Sequence, residues 1–184
     1  MSRLPLLFSF LLLLAGPVAA ADLPAEASAK VGHPIAGSWR IDLARSTELS
    51  PWKDYVLHLK IAGDAVTIDR ELAWASRQFS DSMTVRPGHT ATIPVVMWPE
   101  NRHLGAYIGD THTKEVRADL IDEGRILRLS TDLVLETQQG ARAVNILSDY
   151  KVSASGSQLT LTELRSTRNR PVVYIFNRVV PVSK

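Results

Sequence analysis

From Ile35 onward, apolar residues recur at every second position. Tyr55, Leu57, Leu59 and Ile61 alternate with Val56, His58 and Lys60, which is the period of a strand with one buried face. Gly63-Asp64 reads as a turn, and Val66 and Ile68 then alternate with Thr67 and Asp69. Leu127, Leu129, Leu133 and Leu135 share one face, with Thr131 between them. Beyond Gly140, Val144, Ile146, Tyr150 and Val152 share the next. Ala154-Ser155-Gly156-Ser157 makes another turn before Leu159 and Leu161, and Val172 to Val180 forms a last strand. No segment sustains a helical period. Turns recur roughly every ten to fifteen residues, which predicts an all-β antiparallel meander of about eight to ten strands. Closure into a barrel would remove its exposed edges.

Two stretches break the rhythm. Leu43 to Asp54 reads as a connection after the first strand, and Trp98 to His112, with Pro99, Gly105 and Gly109, reads as a long irregular loop. Loops of that length within compact domains are commonly functional.

The N-terminus follows a different pattern. Arg3 precedes an almost continuous apolar run from Leu4 to Ala15, Gly16-Pro17 breaks it, and Val18-Ala19-Ala20-Ala21 supplies small residues for cleavage. This is the layout of a secretory signal peptide. The run is about a dozen residues, short of the ~20 that span a bilayer. The expected organisation is a signal at 1–21, a flexible lead-in at 22–34 and one β-barrel domain at 35–184. The expected location is periplasmic or secreted, with no stable membrane anchor. Pro17 stands where a lipoprotein would need a lipidated cysteine, and the chain has none.

Composition narrows the functional classes. Lys and Arg number 21 against 19 Asp and Glu. Loss of Arg3 with the signal leaves the mature chain almost neutral, so no nucleic-acid partner is expected. Without cysteines, the stability of an exported domain must come from its core and its hydrogen-bond ladders.

Gly37-Ser38-Trp39, followed by Arg40-Ile41-Asp42, opens the first strand, and Arg178 lies on the last. This arrangement resembles the lipocalin-like (calycin) barrels. The resemblance implies that Gly37, Trp39 and Arg178 close one end of the barrel, with the guanidinium stacked on the indole. Such a contact is worth roughly 0.5–2 kcal/mol. Ser148-Asp149-Tyr150 is similar to the Thr-Asp-Tyr motif of lipocalins. The fatty-acid-binding branch places two helices after the first strand, for which Leu43 to Asp54 is too short. The opening strand also resembles that of bacterial exported proteins of unknown role.

Candidate chemistry is sparse. The five histidines form no tight ligand pair; His103, Asp110 and His112 share a loop, but three groups there do not define a metal site. No Gly-x-Ser-x-Gly elbow, cysteine nucleophile or Gly-rich phosphate loop is present. No catalytic residue, metal or cofactor is therefore expected. Arg165, Arg168, Asn169 and Arg170 read as a solvated basic corner. Trp74, Phe79, Trp98 and Tyr107 fall near connections, where aromatic side chains commonly line the mouth of a barrel. The expected function is binding of a small apolar or amphipathic molecule, with Trp74, Trp98, Tyr107 and His103 as contacts. The alternative is a filled barrel serving as a non-catalytic interaction module of the cell envelope.

Overall fold

The computed structural model describes residues 33–47, 52–74, 76–95, 107–108, 112–137 and 139–180. The expected signal peptide and most of the lead-in lie outside them.

Eleven strands follow in chain order: β1 (Gly37–Ile41), β2 (Trp52–Ala62), β3 (Ala65–Trp74), β4 (Arg77–Val85), β5 (Thr90–Pro94), β6 (Tyr107–Ile108), β7 (Thr113–Ile121), β8 (Ile126–Thr137), β9 (Gly140–Val152), β10 (Gln158–Arg165) and β11 (Val172–Arg178). Ten of them form one path, β4-β3-β2-β1-β11-β10-β9-β8-β7-β5, and β6 pairs with the far end of β8. The strand pairing is antiparallel throughout. The outer strands β4 and β5 approach one another at one end. There Pro87 bridges Ala118, and the Gly88 N–H donates to the Ala118 carbonyl at 2.8 Å. The result is the nearly closed antiparallel barrel that the alternation predicts.

The alternation decides what faces inward. Leu57, Leu59, Val66, Ile68, Leu127, Leu129, Tyr150, Val152, Leu159 and Leu161 are all buried in one core. Gly63 takes φ +61° in the β2–β3 turn, a left-handed conformation that glycine adopts without a Cβ penalty. The connection after β1 is shorter than expected, because β2 already begins at Trp52. A single 3₁₀ turn, Leu43–Arg45, follows β1. Beyond it, Ser46 Oγ accepts from the Ile175 N–H at 2.9 Å and Thr47 Oγ1 from the Val173 N–H at 3.0 Å. Those bonds satisfy the part of β11 that the five-residue β1 is too short to cover.

The two ends of the barrel differ. One end gathers Trp39, Ile35 and Arg178. At the other stand the start of β2, the end of β3, the β8–β9 turn and the ends of the long β5–β7 connection. The Val95 N–H joins those last two ends by donating to the His112 carbonyl at 2.7 Å. We refer to them as the sealed and open ends.

Candidate functional site

At the sealed end, Trp39 is fully buried. Its Nε1–H donates to the Ile35 carbonyl at 3.2 Å. The Arg178 guanidinium carbon lies 4.0 Å from the centroid of the indole. Arg178 also donates to three carbonyls, those of Gly156 (2.5 Å), Ala36 (2.8 Å) and Pro34 (3.0 Å). One side chain thus ties the turn before β1 to the turn before β10. Gly37 has φ +139°, and a Cβ there would collide with Arg178 Nη1. Gly37, Trp39 and Arg178 are therefore brought together into a single plug.

The other expected site residues have a different outcome. Trp98 and His103 lie outside the described residues. Trp74 ends β3 opposite Arg77, and Tyr107 begins β6 opposite Glu136; both backbones stand at the open end.

The chemistry inside the barrel belongs to residues that form no recognisable motif. On each of several strands, the inward apolar series is interrupted in phase by a polar group. Arg70 follows Ile68 on β3, Asp81 precedes Met83 on β4, and Lys114 precedes Val116 on β7. Thr131 follows Leu129 on β8, Ser148 precedes Tyr150 on β9, and Glu163 and Arg165 follow Leu161 on β10. Together they form a belt between the main core and a separate small cluster of Leu133, Leu135 and Val144 near the open end. The detectable signal was a charge at the inward phase of an otherwise apolar strand.

The belt is held by two ion pairs. Arg70 grips Asp81 with both prongs of its guanidinium, Nε to Oδ1 at 2.6 Å and Nη2 to Oδ2, and the two side chains are only 14% and 10% exposed. Burial opposes the Arg70 charge, but the Asp81 carboxylate outweighs it and keeps the guanidinium firmly protonated. Arg165 pairs with Glu163, and its side chain is 3% exposed. This corrects the reading of Arg165 as part of a solvated corner: it points into the barrel, whereas Arg168 and Arg170 are exposed.

Lys114 is the third cation, and it forms no ion pair within the described residues. Burial, reinforced by the neighbouring Arg70, pulls its pKa down to about 8. Tyr55 and Tyr150 lie beside the belt. Burial pushes Tyr55 up to about 12 and Tyr150 well above the usual phenol value. Edge-on contacts from Tyr55 to Tyr174 and Phe176, at 5.9 and 5.0 Å between ring centroids, continue into the core.

A cavity of about 60 Å³ opens inside the belt. Its lining mixes polar groups, among them Arg70, Lys114, Glu163 and Tyr150, with apolar ones, among them Met83, Leu129, Leu133 and Ile146. Larger hollows of about 390 and 570 Å³ are open depressions, the first lined largely by outward residues such as Val56, Glu71 and Ser80. The lipocalin-like fragment Ser148-Asp149-Tyr150 divides across the wall. Ser148 and Tyr150 line the cavity, and Asp149 accepts two hydrogen bonds from Arg128, each 2.7 Å.

No protein-family model matches the sequence, and no curated protein matches it. The fold has counterparts among solved structures. Secretory abundant heat soluble protein 4 from Ramazzottius varieornatus aligns with a TM-score of 0.51 at 9% identity, covering 81% of this chain and 97% of that one. A Schistosoma mansoni fatty acid binding protein in complex with arachidonic acid aligns at 0.48, with 9% identity and 80% and 97% coverage. The fatty-acid-binding protein of Manduca sexta aligns at 0.42, with 7% identity and 77% and 97% coverage. At these identities the likeness concerns the fold alone.

Proposed function

We propose that this protein binds a small amphipathic molecule inside its barrel and carries or sequesters it outside the cytoplasm. The supporting observation is an interior cavity lined both by polar groups, Arg70, Lys114, Glu163 and Tyr150, and by apolar ones, among them Leu133 of the small cluster with Leu135 and Val144. A space of about 60 Å³ accepts only the polar end of such a ligand, since whole ligands fill pockets of roughly 300 Å³ or more. The apolar remainder would run past Leu133 and Ile146. Trp74, Trp98, Tyr107 and His103 remain proposed contacts for it. Export rests on the N-terminal sequence pattern alone, and its check is the N-terminus of the mature protein, expected at or next to Asp22.

Native mass spectrometry of the mature protein, purified from its own compartment, tests binding. The expected result is a discrete extra mass that disappears on denaturation. A bare polypeptide that also takes up no fluorescent fatty-acyl probe would overturn the proposal.

One observation favours a second reading. The enclosed space is small, and Val134 and Leu164 are exposed on the outside of the barrel. A filled barrel that meets a partner through its outer face would leave the interior closed to every probe and would retain a partner in a pull-down.

A further inference from the structure

We propose that Lys114 is a covalent anchor for carbonyl compounds, its amine condensing with an apolar aldehyde in the barrel to form an imine. The inference rests on the reading of the barrel as a binding site and specifies the ligand's reactive group.

The geometry supplies three requirements. Lys114 lies in the wall of the interior cavity, on β7, one strand in from the β5 edge of the barrel's incomplete seam. Asp81 and Glu163 are each committed to an arginine, so neither forms an ion pair with the lysine. Met83, Leu129, Leu133 and Ile146 line the same cavity, Leu133 as the register partner of Lys114, which suits the chain of an alkyl aldehyde.

The charged groups acting on Lys114 are Arg70 on β3, Asp81 on β4 and Glu163 on β10, and Tyr150 on β9 lines the same cavity. The carboxylates favour the ammonium, but burial and Arg70 prevail and bring the pKa to about 8. Near pH 7.4 roughly a fifth of the amine is then neutral, against about a thousandth for an ordinary lysine. A desolvated lysine of this kind is the usual imine-forming nucleophile.

The step balances without a redox partner. The Nζ lone pair adds to the carbonyl carbon, and the carbonyl oxygen takes up a proton as the π bond breaks. The nitrogen loses a proton to give the neutral carbinolamine. Its hydroxyl then takes up a proton and leaves as water as the nitrogen lone pair forms the C=N bond. The resulting iminium releases its remaining N–H proton to give the imine. Tyr150, in the same cavity wall and held protonated by burial, is a hydrogen-bond donor for the carbonyl oxygen.

The test incubates the mature protein with decanal and cyanoborohydride at pH 7.5, followed by peptide mapping. The expected product is one decylated lysine at Lys114, formed about tenfold faster than at exposed Lys53 or Lys151, with a rate that rises through pH 8. The α-amino group, with an ordinary pKa of ~7.7–8.0, is mapped separately as an internal reference. Lys114→Arg and Lys114→Met should each abolish the fast adduct. Circular dichroism verifies that both variants fold, and fatty-acyl probe uptake reports the cavity independently. Equal labelling of all lysines, as in the urea-unfolded chain, would overturn the inference. Probe uptake without Lys114 labelling would overturn the imine and leave the binding proposal standing. Loss of both would overturn both.

Discussion

Trp39 and Arg178 are register partners on adjacent strands, and the guanidinium carbon stands 4.0 Å from the indole centroid. The contact joins residues from opposite ends of the domain. It also places Arg178 where it can bond the carbonyls of Pro34, Ala36 and Gly156. Trp39→Ala should cost about 3–5 kcal/mol by emptying a packed site. Arg178→Ala should cost less, and the double variant should be less destabilised than the sum by about 1 kcal/mol. Urea unfolding of all four proteins measures the coupling; strictly additive losses would refute it.

Gly37 makes the same contact testable from the backbone side. Its φ of +139° and the position of Arg178 Nη1 leave no room for a Cβ. Gly37→Ala should destabilise the barrel by about 1–3 kcal/mol. In the Arg178→Ala background the steric part of that loss should disappear and the conformational part should remain.

Breaking the Arg70–Asp81 pair should cost more than deleting it. Asp81→Ala strands a buried guanidinium, a change worth about 3–5 kcal/mol. The paired change Arg70→Met with Asp81→Leu removes both charges and should recover most of that loss. A thermal melt of the double variant no better than that of Asp81→Ala would contradict the claim that the pair is buried.

Lys114 should lower stability at neutral pH. Its folded pKa of about 8 lies below the ~10.4 of an unfolded lysine. Between those values the unfolded chain binds more protons, so this contribution to stability rises with pH. Below pH 8 the burial penalty is fully present. Lys114→Met should therefore be more stable than wild type by about 2 kcal/mol at pH 7, with the gap closing as pH approaches 10.4. A gap independent of pH would argue that the amine is not desolvated.

Tyr55 works in the opposite direction. Its pKa of about 12 in the folded state exceeds the ~10 of a free phenol. The stability it contributes is complete below pH 10 and is lost as pH rises toward 12. Tyr55→Phe should flatten the alkaline decline in unfolding free energy over that window. An unchanged alkaline limb would assign the decline to other groups.

The period-two alternation, by itself, was enough to locate β2, β3, β8, β9 and β10 and their inward face, but it left β4, β5 and β7 unread. A buried face demands an apolar residue at every second position, and β2, β8, β9 and β10 carry that record openly. The Gly-x-Trp near one end of the domain and the arginine near the other were also visible as residues, and the calycin resemblance implied their stacking. Only the tertiary structure shows that contact, because Trp39 and Arg178 become neighbours once β1 and β11 pair. The polar belt was decided in three dimensions. Arg70, Asp81, Lys114 and Glu163 sit on four different strands, and each alone looks like an ordinary surface charge. Arg165 shows this most clearly: within Arg165-Ser-Thr-Arg168-Asn-Arg170 it reads as one of a solvated group, yet its phase on β10 turns it inward to Glu163. Closure of the sheet brings these side chains into one enclosed space. There a low dielectric and fixed ion pairs give Lys114 and the tyrosines properties that no local stretch of the chain encodes.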